Sequence, residues 1–207
     1  MQTLRTIVLV TGWALCIASG IGAMLLFELT PAKTSAASDR WPAAVNITRD
    51  ATRPTMVLFL HPRCPCSRAT LAEVDRLLAG REDQFSLHIV FVRPPGTGES
   101  WEKSSLYETA LKFRGAVVTS DIDGVEAARF GATTSGEALL YAADGSLLFH
   151  GGVTPSRGHE GDNSGRAALA SLISTGRANC KETAVFGCSL INCPNITQTT
   201  ASHGITP

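Results

Sequence analysis

The chain has no excess of charge of either sign: its 207 residues carry 18 Lys+Arg and 18 Asp+Glu. Nucleic-acid binders present a basic stripe or patch, so this balance excludes that class of partner. Internal repeats are absent, which excludes repeat architectures. The cysteines match no common zinc spacing. Charge is also missing locally. Ile7 to Phe27 (IVLVTGWALCIASGIGAMLLF) runs twenty-one residues without an ionisable acid or base, and about 20 such residues span a bilayer as a helix.

Two readings compete for that run. A cleaved signal peptide has an apolar core of roughly 7–15 residues followed closely by small residues. This core is longer, and the nearest such site, Ser35-Ala36-Ala37, lies well beyond it. An uncleaved anchor through residues 7–27 is therefore the expectation. Arg5 before the run favours a cytoplasmic N-terminus and export of the remainder. Cys16 lies inside the run as a small hydrophobe, and Trp13-Ala14-Leu15 before it does not make a lipoprotein acceptor.

The rest divides into a small, polar, Pro-containing spacer over 30–50, one domain over 51–176, and a cysteine-containing tail over 177–207. Met56 to Leu60 (MVLFL) is continuously apolar and predicts a strand buried on both faces. Leu71, Val74, Leu77 and Leu78 recur at helical spacing, closed by Gly80. Phe85 to Val92 predicts a second strand, Trp101 to Phe113 a helix, Ala116-Val117-Val118 the start of a third strand, and Val125 to Phe130 another helix. Ala138–Tyr141 and Ser146–Phe149 flank Asp144-Gly145, a hairpin signal. Arg166 to Ile173 supplies a last helix, and the final dozen residues predict disorder. The order β-α-β-α-β-α-β-β-α describes an α/β fold: a mixed central sheet with helices on both faces and a C-terminal antiparallel hairpin.

Chemistry concentrates in His61-Pro62-Arg63-Cys64-Pro65-Cys66-Ser67, between the first strand and the first helix of the domain. Cys64 falls at the N-cap and Pro65 at the first helical position, where its missing N–H costs nothing. Free N–H groups and the helix dipole stabilise an anion there, and the thiolate is the nucleophile. Arg63, Arg68 and His61 are expected to add positive charge. Cys64 is then the exposed attacking sulfur and Cys66 the resolving one. The ring of a Cys64–Cys66 disulfide is one residue shorter than in Cys-x-x-Cys, which predicts a strained, oxidising bond.

A long loop, Gly151 to Gly165, follows the hairpin, and loops of that length are often functional. His159 in it is a candidate proton shuttle or ligand. Asp162 and Asn163 read as caps of the last helix; His88 and His150 read as structural. In the tail, Cys180, Cys188 and Cys193 leave one disulfide and one spare thiol, with Cys188–Cys193 and Cys180–Cys188 both open, and the odd thiol is a candidate relay to Cys64 and Cys66 or a pairing site between molecules.

The segments HPRCPCSRAT, TSGEALLYAADGSLLFHGG and SRGHEGDN resemble the thioredoxin-like superfamily. The likeness is to its membrane-anchored TlpA/ResA-type and AhpC/TSA-related branch, and within it to bacterial proteins labelled RedB. The resemblance covers about residues 51–192 and implies a thioredoxin-like fold and thiol–disulfide oxidoreductase activity on protein or small-molecule thiols and disulfides, without a cofactor. It also implies a bacterial inner-membrane location, with the domain in the periplasm or outside. Two features depart from it: the spacing of the cysteines, and Ser135-Gly136-Glu137 where a cis-proline is usual. Gly136 there still permits close backbone approach. The Pro-x-x-x-Thr/Ser-x-x-Cys pattern of peroxiredoxins is missing. The alternative is a Cu(I)-binding, Sco-like metallochaperone in which Cys64, Cys66 and His159 hold copper(I).

Overall fold

A computed structural model of the chain describes residues 1–190; Cys193 and the last dozen residues lie outside them. The N-terminal helix α1 (Gln2–Leu29) contains the uncharged run, buries no residue, and is long and apolar enough to cross a membrane.

The domain core is a five-stranded sheet in the order β3-β2-β1-β4-β5. Its strands are β1 (Thr55–Leu60), β2 (Ser86–Arg93), β3 (Ala116–Ile122), β4 (Glu137–Tyr141) and β5 (Leu147–Gly151). β1 pairs parallel with β2 and β2 with β3, while β4 runs antiparallel to both β1 and β5. Every residue of β1 is buried. Met56, Leu58 and Leu60 enter one apolar cluster and Val57 and Phe59 the other. Successive side chains of a strand point to opposite faces, so a strand covered on both sides needs an unbroken apolar run.

Helices fill both faces. α2 (Pro65–Leu78) and α5 (Ser164–Thr175) send Leu71, Val74, Leu77, Leu169 and Leu172 into the first cluster. α4 (Val125–Phe130) sends Ala127 and Phe130 into the second. The hairpin turns as its Asp-Gly pair predicts: Gly145 has φ +86°, and the Asp144 carboxylate accepts from the Ser146 N–H at 2.9 Å. Asn163 caps α5, its side chain accepting from the Arg166 N–H at 2.8 Å.

The single helix expected over Trp101–Phe113 is instead a 3₁₀ turn, Glu99–Trp101, and a short α3, Ser105–Ala110. Ser104 divides them, because its hydroxyl accepts from the Tyr107 N–H and so starts a new helix.

The spacer over 30–50 is also corrected, since it wraps the domain. Trp41 N–H donates to Gly145 O and Leu147 N–H to Asp39 O, each at 2.8–2.9 Å, along the free edge of the hairpin. Trp41 packs edge-on against Phe130 and Tyr141, with centroids 5.1 and 5.2 Å away, and Ile47 is buried in the second cluster. A few apolar residues in a polar stretch are enough to dock it where a cluster is open to them. Trp41→Ala should therefore cost about 2 kcal/mol in urea unfolding of the full chain in detergent, followed by intrinsic fluorescence. A free spacer would show no change.

Candidate functional site

The site forms where β1 ends and α2 begins. Cys64 is the N-cap of α2, in extended conformation, with Pro65 in the first turn. The loop before it closes tightly: Cys64 N–H donates to His61 O at 3.1 Å, and Ser67 Oγ donates to the same carbonyl at 3.1 Å. Ser135, one residue before Gly136, locks this loop to the neighbouring strand. Its hydroxyl accepts from His61 N–H at 2.9 Å and meets Ser67 Oγ at 2.8 Å. Ser67's one proton already points at His61 O, so Ser135 supplies the proton between the two hydroxyls. Gly136 has φ +96° and its N–H donates to Phe59 O at 2.8 Å. A Cβ there would stand 3.1 Å from Thr70 Oγ1, which is the close approach the glycine permits.

Both cysteines of the pair are buried, Cys64 at 2% exposure and Cys66 at 9%. Cys64 is thus not the exposed sulfur expected from its position. The tail covers it. Cys188 Sγ lies 3.0 Å from Cys64 Sγ, and Cys188 is itself exposed. The approach is set by the backbone: Ser135 N–H donates to Cys188 O at 2.8 Å, Leu190 N–H donates to Thr133 O at 2.9 Å, and Thr134 and Ser189 form an antiparallel bridge. Leu190 is buried in the second apolar cluster. At Gly187 a Cβ would stand 1.8 Å from Ser135 O, so no larger residue lets the segments meet this closely.

Cys180 and Cys188, expected to share a structural disulfide among themselves or with Cys193, carry free thiols. Cys180 packs instead against the first apolar cluster. The tail is held to the domain, but by hydrogen bonds and Leu190 rather than by a bond between those two sulfurs.

Burial pushes the Cys64 thiol up, yet its pKa lies below the ordinary thiol value. The Cys188 thiol and backbone together with the N–H groups of Cys66 and Ser67 outweigh burial. Cys66 and Cys188 move the other way, each raised first by burial and then by interactions with Cys64, with Arg157 opposing the rise in both. Of the three thiols, Cys64 is the one that carries negative charge most readily.

The positive charge acting on the other two thiols comes from Arg157, not from His61 or Arg63. Burial, then the Arg63 charge, lowers the His61 pKa, so its imidazole stays neutral and accepts from the Arg63 N–H at 3.2 Å. The Arg63 guanidinium turns over the Trp101 ring at 4.9 Å, and that ring meets His61 edge-on at 5.2 Å. Arg68 lines an open groove of about 400 Å³ between α2 and α3 with Leu71, Asp75 and Phe113.

The loop 151–165 does fold back onto the site, through Arg157 and Gly158. Arg157 Nη1 donates to Gly187 O at 2.6 Å, and Gly158 offers its N–H to Cys66. Arg157 Nε is buried without a hydrogen-bond partner among the described residues. His159 is exposed and its Nδ1 bonds to Arg157 O at 2.8 Å, so it does not join Cys64 and Cys66. Among the described residues, no three His, Cys, Asp or Glu side chains are grouped to hold a metal ion.

Glu73, fully buried on α2, anchors this loop: it accepts from Gly161 N–H at 2.8 Å and pairs with Arg166 at 2.7 Å and with Arg76. Buried His150 likewise faces Glu137 at 3.1 Å, and Glu137 also accepts from Thr134 N–H at 2.8 Å. These pairs hold the two loops on which Cys188 and Arg157 depend. Arg157 carries no local signal in the sequence beyond its unusually long loop, whereas Cys188 was a tail-disulfide candidate and one of the thiols open to a relay with Cys64 and Cys66.

Solved structures share this fold. The chain overlays a hypothetical protein from Sinorhizobium meliloti with a TM-score of 0.59 at 16% identity, covering 76% of this chain and 97% of that one. An uncharacterized conserved protein from Geobacillus kaustophilus gives 0.56 at 19% identity, covering 80% and 94%. The chain shares the fold of these two proteins. A weaker overlap, TM-score 0.43 at 18% identity over 60% of this chain and 82% of the other, is with a secreted Mycobacterium tuberculosis disulfide oxidoreductase homologous to Escherichia coli DsbE. No family model and no curated protein matches the sequence.

Two measurements follow from the site. Removing the Cys188 donor should raise the Cys64 pKa, so the pH midpoint of Cys64 alkylation, followed by mass spectrometry, moves up in Cys188→Ala. Arg166→Met leaves buried Glu73 without its closest partner apart from half-exposed Arg76, and should cost about 3 kcal/mol in urea unfolding.

Proposed function

We propose that this chain is a thioredoxin-like, membrane-anchored, extracytoplasmic thiol–disulfide oxidoreductase that acts on protein or small-molecule thiols and disulfides. The observation that carries the reading is the Cys64 thiol: it caps a helix N-terminus, its pKa is lowered by thiol and backbone donors, and a second sulfur stands 3.0 Å away. Such a sulfur ionises more readily than an ordinary thiol, and the thiolate is both the nucleophile and the better leaving group. Cys66, two residues further on, offers its backbone N–H to Cys64.

The length and composition of α1 support an anchor, and Arg5 ahead of the uncharged run supports a cytoplasmic N-terminus with the domain on the far side of a bacterial inner membrane. An oxidising compartment is where a thiol pair of this kind is used.

The test is exchange between a small dithiol and a disulfide peptide, catalysed by the full chain in detergent. Cys64→Ser should lose at least about 100-fold in rate, the usual scale for removing the reacting group. Equal rates for variant and wild type would end the reading.

A further inference from the structure

Cys64 has two thiols beside it, and they are not equivalent. A bond to Cys66 must close across the first turn of α2 through Pro65, whose φ is fixed, in a ring one residue shorter than Cys-x-x-Cys. Disulfide geometry is specific, and that ring departs from it. Cys188 comes from a separate segment, so a bond to it places no demand on the helix. An S–S bond is about 2.05 Å long, and the two sulfurs, 3.0 Å apart, need to close by about 1 Å. The bridge from Thr133–Ser135 to Cys188–Leu190, the buried Leu190 and the close approach at Gly187 hold them in register.

Exposure then separates their roles. Cys64 is covered and Cys188 faces solvent. We propose that Cys188, not Cys66, is the redox partner of Cys64, and that substrate thiols meet the resulting disulfide at the exposed Cys188 sulfur. The proposal rests on the oxidoreductase reading above and assigns its second catalytic residue.

The step balances within the pair and its substrate. A substrate thiolate attacks Cys188 Sγ, a substrate–Cys188 disulfide forms, and the Cys64–Cys188 bond breaks with Cys64 leaving as the thiolate. A second substrate thiolate attacks its own sulfur in that mixed disulfide, closing a substrate disulfide and releasing Cys188, which takes a proton. Two electrons pass from the substrate dithiol to the protein. Of the two sulfurs Cys64 is the more acidic and so the better leaving group, and the buried Nε of Arg157 lies in the loop that contacts Gly187. The pair is reoxidised by exchange with a small-molecule disulfide, whose two halves depart as thiols.

The experiment treats the reduced full chain in detergent with oxidised glutathione, quenches in acid, and maps linkages by non-reducing digestion and mass spectrometry. The principal product should be Cys64–Cys188, unchanged in Cys66→Ser, and a dithiol peptide should then reduce it. In Cys64→Ser the glutathione adduct should remain on Cys188. Gly187→Ala keeps the thiol but drives a Cβ into Ser135 O, and should slow formation of the linkage about fivefold or more, as overpacking of about 1 kcal/mol or more does. A principal Cys64–Cys66 bond, a bond from Cys188 to Cys180 or Cys193, or wild-type exchange rates in Cys188→Ser would overturn the assignment. If exchange needs Cys64 but not Cys188, the assignment alone falls; if it needs neither, the oxidoreductase reading falls with it.

Discussion

Ser135 is where three distant parts of the chain are tied together. Its hydroxyl holds the backbone of His61 and the side chain of Ser67, and so fixes the loop that presents Cys64. Its N–H holds the carbonyl of Cys188, and its own carbonyl lies against Gly187. Buried polar groups must be paired, and here the pairing is also the positioning. Ser135 is 1% exposed and sits two residues before β4, so its place follows from the sheet rather than from a mobile loop.

The sheet in turn follows from β1. A six-residue strand buried on both faces must be flanked by strands on both sides and covered by helices above and below. The chain meets this by returning parallel through α2 to β2 and antiparallel through β4. Both neighbours place their site-bearing ends beside the C-terminal end of β1, which is where crossover topology gathers functional loops. Loop 151–165 reaches the same end because Glu73, buried on α2, gives its backbone and Arg166 a fixed anion to meet. A buried carboxylate is costly unless fully partnered, so the loop cannot leave without leaving that charge exposed to an apolar interior.

Most of the fold was legible in the sequence because its signals are local. The alternation of apolar residues in α2 and α5, the Asp-Gly hairpin and the N-cap at Cys64 each lie within a window of a few residues. The helix over Trp101–Phe113 went wrong on one residue, since Ser104 caps a helix as readily as it sits within one. What failed was non-local. Cys188 and Cys64 are 124 positions apart, and nothing in NCKETAVFGCSLINC points to Thr133–Ser135 rather than to another cysteine of the tail. Trp41 in a polar stretch looked like spacer, because the cluster that accepts it exists only once α4 and β4 are assembled. His159 was the more conspicuous residue of its loop, yet two positions decide the outcome: its ring turns to the Arg157 carbonyl while Arg157 reaches the tail.

The missing residue between the cysteines acquires a meaning in this geometry. In a helix-borne pair, one thiol must be both close to the N-cap sulfur and free to form an undistorted ring with it, and shortening the spacing weakens the second condition. Here Cys66 satisfies closeness alone. Its pKa is raised by burial and by Cys64, against the opposing Arg157 charge and Gly158 N–H. The tail satisfies both conditions, because its sulfur arrives on an independent backbone whose position is set by hydrogen bonds to Thr133 and Ser135. The same contact covers the more acidic sulfur and leaves the harder-to-ionise one outside. Thiol exchange depends on which sulfur is accessible and on the acidity of the one that leaves. With Cys188 exposed and Cys64 acidic, both factors favour attack from solvent on Cys188 and departure of Cys64, so the covering of the reactive thiolate is part of the chemistry rather than an obstacle to it.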